Sequence, residues 1–239
     1  MGFVLAVGIF LAIATLCASA ADAALLTPKM SGVSETVAKR LSDDNYNTYN
    51  SLGENVSVTL ECEEEIVSVY IVFDRVYGEF ALTDVNGGKS VRCGEDSFLH
   101  TYLDVTALLG DGVKCVKLDF DTGAVALADI YVFGKGDVPS WVQRWKKSAD
   151  GEADLLLLSS HSDDEQLFFA GILPYYAGER GLSVQVVYFT HHFDVHNRPH
   201  EQLNGLWTVG VTHYPIISEF PDLYSESLSY AYQQYKWAG

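Results

Sequence analysis

Positive charge is scarce in this chain: 15 lysines and arginines face 32 aspartates and glutamates, a formal charge of −17 over 239 residues. Such a surface repels phosphate backbones and anionic headgroups, which excludes nucleic acid as a partner. Cysteine is rare as well, at 4 residues, too few for a disulfide scaffold. Internal repeats and low-complexity tracts are missing too. What is plentiful is apolar. Hydrophobic residues make up 48% of the chain, enough to bury a full core in one large or two modest domains. The 14 tyrosines and 4 tryptophans are rings of the kind that line sugar-binding faces, and ordinary packing explains any single one of them equally well.

Charge is missing locally at the amino terminus. Residues 1–20, MGFVLAVGIFLAIATLCASA, carry no charged side chain and end in Ala18-Ser19-Ala20, a small-x-small cleavage site. They read as a signal peptide, so the chain is expected to be secreted or otherwise exported. The alternative is an uncleaved membrane anchor over residues 2–20; otherwise no membrane contact is expected. If Cys17 leaves with the leader, Cys62, Cys93 and Cys115 remain and at most one bridge can form. Asn55-Val56-Ser57 is a glycosylation sequon.

Two rhythms follow. From about Glu54 to Gly134 apolar residues alternate, as in Val56, Val58, Leu60, Cys62 and in Val67, Val69, Ile71, Phe73, which predicts strands. Turn signals at Asn86-Gly87-Gly88 and Asp121-Thr122-Gly123 separate short antiparallel runs with no long helix between them, the pattern of a β-sandwich over residues 27–134. The segment LSDDNYNTYNSL (41–52) and the closing strand Leu127 to Phe133 resemble the galactose-binding-like, discoidin-type sandwich, with Asn50 where such domains often carry tryptophan. Glycan binding or a purely structural accessory role follows from that resemblance. Residues 135–152 read as a linker with a short helical turn whose Trp141 and Trp145 dock on a domain.

After Ala153 the pattern changes. ADLLLLSS and LSVQVVYFT are continuous apolar runs, expected of parallel strands covered on both faces. Between them Leu167, Phe168, Gly171, Ile172, Tyr175 and Tyr176 fall on one face of a predicted helix kinked at Pro174. A second helix is predicted over Pro199 to Val209, before a third strand near HYPIIS. The βαβαβ order predicts a parallel, Rossmann-like α/β domain over residues 153–239, with both strand-to-helix loops at one carboxyl edge.

His161, Asp163, Asp164 and Glu165 occupy the first of those loops. Helix capping by Asp163 or Asp164, with Glu165 at the positive helix end, accounts for one acid. It leaves a histidine and three consecutive acids beside a buried strand, where carboxylates repel one another. A divalent cation relieves that repulsion. Imidazole and carboxylate suit zinc, and the spacing lets His161 and Asp164 turn toward one point while Asp163 faces a bound water. Paired aspartates also suit magnesium and a phosphoesterase.

His161-Ser162-Asp163-Asp164-Glu165 after an apolar strand resembles the H-P-D-D-E signature of the PIG-L or LmbE-like zinc-dependent deacetylases, with Ser162 in place of proline. Arg198-Pro199-His200-Glu201, Gly205 and Val209-Gly210-Val211 resemble the family's second block. The resemblance implies removal of the acetyl group from an N-acetylglucosamine-type sugar or glycoconjugate. It makes His161 and Asp164 Zn2+ ligands, Asp163 the catalytic base and Glu165 a support behind them. Arg198 either faces the sugar or pairs with Glu201. The loop histidines His191, His192, His196, His200 and His213 are expected to be exposed or to stand behind the ligands. The family's downstream H-x-x-H-type stretch has no counterpart before Gly239, so the deacetylase domain is expected to be incomplete. A longer protein, a degenerate copy, or substitution by His191 or His192 would each account for that. A non-catalytic secreted carbohydrate-binding protein with a degenerate deacetylase domain is the competing reading.

Overall fold

The computed structural model describes residues 21–95, 98–147, 152–191, 196–220 and 224–235. The expected leader and His192 lie outside them. In chain order the first half contains β1 (Leu25–Leu26), β2 (Lys29–Ser31), α1 (Glu35–Arg40), β3 (Asn50–Gly53), β4 (Val56–Glu61), β5 (Ser68–Phe73), β6 (Phe80–Asp84), β7 (Ser90–Cys93), β8 (His100–Asp104), α2 (Val105–Leu109), β9 (Cys115–Phe120) and β10 (Val125–Phe133). The second contains β11 (Leu155–Ser159), α3 (Asp164–Leu167), a π-helical turn at Pro174–Glu179, β12 (Val184–Thr190), α4 (Arg198–Thr208), β13 (Ile216–Phe220) and α5 (Leu228–Tyr235).

The first half is a β-sandwich. One sheet runs β1-β10-β5-β8, with β3 also on β10, and the other runs β2-β4-β9-β6-β7. Every pairing within them is antiparallel. The period-two pattern sets the register: Val58 and Leu60 of β4 sit opposite Leu118 and Val116 of β9, and all four are fully buried. Phe120 lies within ring contact of Phe73, Tyr77 and Phe80, and each such buried ring stabilises the fold by about 1.5–3 kcal/mol. β5 is buried along its whole length. Its inward residues Val69, Ile71 and Phe73 join the main core, while Tyr70 and Val72 belong to a smaller outer cluster with Val142 of the linker. The sandwich thus has an outer face that is itself covered.

Cys62, Cys93 and Cys115 are free thiols. Burial pushes all three thiols above their ordinary range.

In the second half β11, β12 and β13 form a parallel sheet in chain order. One face packs Leu157, Val186 and Tyr188 against Leu173, Ala177 and Leu206. Cover on both faces is not what the structure shows: Leu156 and Leu158 are 58% and 50% exposed. The predicted helix after the first strand is also corrected. It stops after four residues, and a π-helical turn begins at Pro174, where the missing N–H of proline is tolerated because a first-turn N–H has no partner within the helix. Leu167, Phe168, Tyr175 and Tyr176 are exposed, and Leu173 and Ala177 are buried instead.

At Trp141 the linker makes one hydrogen-bonded turn, Val142 N–H to Pro139 O at 3.0 Å, and both tryptophan rings dock. Trp141 meets Tyr131 edge-on at 5.0 Å. Trp145 meets Trp207 and Tyr214 at 5.4 and 5.9 Å. The linker then pairs with the second half through Lys146 N–H to Thr212 O (2.9 Å) and Tyr214 N–H to Lys146 O (3.0 Å). Among the described residues no helix is long and apolar enough to cross a membrane.

Candidate functional site

The carboxyl edge of the parallel sheet gathers the singled-out residues. Ser160 closes β11, and its carbonyl accepts both the N–H and the hydroxyl of Thr190, at 3.1 and 2.8 Å. The two strand ends are therefore tied side by side. His161 turns back from this point: its N–H donates to Asp164 Oδ2 at 3.1 Å, and its Nδ1 lies 3.3 Å from the same oxygen. The spacing of three does bring His161 and Asp164 together.

Asp163 stands between them with φ 157° and ψ −19°, a backbone region that a residue with a Cβ enters only under strain. Two contacts hold it there. Its N–H donates to Glu165 Oε2 at 3.0 Å, and Arg198 Nη2 donates to its Oδ2 at 2.6 Å. Arg198 therefore serves Asp163 first, with Glu201 farther off at 3.7 Å; the expected helix-internal pair is the weaker contact. Asp163 makes no side-chain cap. Glu165, 2% exposed, closes the start of α3 from inside. Burial raises its carboxyl above the usual range, backbone and Tyr188 contacts oppose that, and the Asp163 charge adds to it. Ser162 is buried and its hydroxyl has no partner among the described residues.

Catalytic zinc takes three protein donors and leaves one position open. His161 and Asp164 offer two converging donors. Among the described residues no third His, Cys, Asp or Glu completes the set, so the described chain alone does not build a full zinc centre.

A second constellation has no signal in the local sequence. The Tyr70 hydroxyl, which accepts from the Gln143 backbone N–H, lies 2.6 Å from His100 Nδ1. His100 Nε2 lies 3.0 Å from His200 Nδ1. This row runs from β5 through β8 of the sandwich into α4. His200 is wholly buried, stacked on Tyr46 at 5.0 Å, and not exposed as expected. Nearby, His196 Nδ1 lies 2.6 Å from Asp74 Oδ1. Burial holds both His100 and His200 below the ordinary imidazole range, His200 at about 4. Both rings are neutral at pH 7 and act as structural hydrogen-bond partners across the two halves.

No protein-family model and no curated protein matches the chain. Among solved structures it is similar to CpGH89CBM32-6 produced by Clostridium perfringens, at 17% identity and TM-score 0.37 over 45% of this chain and 94% of that one. A pectin binding carbohydrate binding module is similar at 17% identity and TM-score 0.36, over 49% of this chain and 96% of that one. A family two carbohydrate esterase from Cellvibrio japonicus aligns over 90% of this chain and 81% of its own, at 9% identity and TM-score 0.26. Likeness this low leaves function to the residues themselves. The β-sandwich stands on its strand pairing, and the likeness to the PIG-L or LmbE-like family rests on the two sequence blocks alone.

Proposed function

We propose that the chain is an exported carbohydrate-active hydrolase whose second half removes an acetyl group from an N-acetylglucosamine-type substrate. The observation that carries the reading is the convergence of His161 and Asp164 at the sheet's carboxyl edge, with a strained Asp163 between them. The H-S-D-D-E resemblance supports the same assignment.

In this reading His161 and Asp164 are two of the zinc donors and the third comes from outside the described residues. Zinc held there would supply an acidified water. Asp163 would be the carboxylate placed to serve as general base. Arg198 and Glu165 are positioning residues: the guanidinium fixes the Asp163 carboxylate, and the buried carboxyl fixes its backbone. The sandwich half presents glycan to the second half.

The test is elemental analysis of the folded protein together with acetate release from N-acetylglucosamine oligomers. His161→Ala and Asp164→Ala are expected to lose zinc; Asp163→Asn is expected to keep zinc and lose acetate release. A folded wild-type protein that takes up no zinc from excess salt overturns the reading. Glycan binding retained by such a zinc-free protein would establish the competing, non-catalytic assignment.

A further inference from the structure

Between the outer face of the first sheet and α4 lies a cleft of about 690 Å³, inside the size range of small-ligand sites, about 300–1,000 Å³. It is walled by both halves and by the linker, and it is separate from the HSDDE edge: none of His161, Asp163, Asp164 and Arg198 lines it. We propose that this cleft binds a neutral saccharide, with one sugar ring laid on Trp141.

The argument begins with Trp141. A tryptophan 46% exposed beside a covered sheet face leaves much of its ring open, yet its orientation is fixed. Tyr131 and Tyr70 meet it edge-on at 5.0 and 6.0 Å, and Phe133 at 6.0 Å. The part of the ring these neighbours leave open is apolar, and the C–H face of a pyranose is a partner for it. Trp207 lines the same cleft and is aimed by its Nε1–H, which donates to Ser140 O at 2.8 Å.

Hydroxyl groups need fixed polar partners at such a site. The Gln143 amide donates to Asn204 Oδ1, and its Oε1 accepts from Trp145 at 2.7 Å. These bonds lock two primary amides into the wall. In the same cleft Asp44 accepts the Tyr131 hydroxyl at 2.6 Å.

Charge sets the ligand's sign. Among the described residues no lysine or arginine lines the cleft, and the histidine that does, His100, is kept neutral by burial. Asp44 and Asp129 are the acids among the described lining residues, so a uronic acid or any other anionic sugar meets repulsion without a compensating cation there. Neutral sugars meet none. This rests on the carbohydrate reading above and deepens it by fixing the place and the sign of the ligand.

The experiment is titration calorimetry of the full chain with neutral tetrasaccharides (chitotetraose, cellotetraose, galactotetraose) and with tetragalacturonate as the acidic counterpart. At least one neutral tetrasaccharide is expected to bind, tetragalacturonate is not, and Trp141→Ala is expected to weaken binding by at least about tenfold. Trp141→Tyr, which keeps a ring, should recover part of that loss, and circular dichroism checks that both variants fold. Binding is read without acetate release, so failure of acetate release leaves this proposal standing. The proposal is overturned if no neutral tetrasaccharide binds at millimolar concentration, if tetragalacturonate binds equally well, or if folded Trp141→Ala binds unchanged.

Discussion

Replacing His200 by glutamine should flatten the acid side of the stability profile. In the folded chain His200 is wholly enclosed, its ring centroid 5.1 Å from that of His100, 5.0 Å from that of Tyr46 and 6.4 Å from that of His196. Its pKa is lowered from 6.5 to about 4, by burial first and by the charge of His196 second. The neutral ring is thus the native form. The unfolded chain takes up a proton near pH 6.5 and the folded chain only near pH 4, so stability is complete above 6.5 and declines as pH falls between the two values. At about 1.4 kcal/mol per pH unit, the full loss is about 3 kcal/mol, and about 2 kcal/mol of it is reached by pH 5. Urea denaturation followed by tryptophan fluorescence at pH 7 and pH 5 measures this. His200→Gln loses the ring contacts at both pH values, so its offset is constant, and the wild type should lose about 2 kcal/mol more than the variant between the two. Equal losses in wild type and variant would refute the assignment of a neutral, buried His200.

Three further outcomes are expected. Phe120→Ala removes a fully buried ring from the Phe73, Tyr77 and Phe80 cluster and should cost about 3–5 kcal/mol in urea denaturation. Ser162→Ala discards a buried hydroxyl that has no partner among the described residues and should stabilise the chain by about 1 kcal/mol, read as a higher melting temperature. Gly210→Ala places a Cβ 2.7 Å from the Gly178 Cα in a left-handed conformation, φ +92°; it should destabilise by more than about 1 kcal/mol in the same assay.

Local rhythm made the strands legible. Val58 and Leu60 alternate with Ser57 and Thr59 because one side of β4 faces the other sheet, and a period of two is the direct imprint of that geometry. α4 was legible from the proline at its start and the glycine after its end; Gly210 has the positive φ that such an end requires. The pairing of His161 with Asp164 followed from their spacing. The interrupted helix after Asp164 was not legible: Leu167, Phe168, Tyr175 and Tyr176 carry a helical period, yet the described fold puts no core against that face. His100 and His200 were missed for another reason. They are one hundred positions apart, and no window along the chain contains both. Arg198 reaches Asp163 across 35 positions, so sequence spacing suggested the nearer Glu201.

Trp145 packs against the main cores of both halves, and α4 sends Leu203 into the sandwich core while Leu206 serves the parallel sheet. Such sharing removes the independence usual between neighbouring modules. Neither half can be exchanged for a homologous one, or expressed alone, without leaving a hole in the other, and calorimetric melting should proceed as one cooperative event.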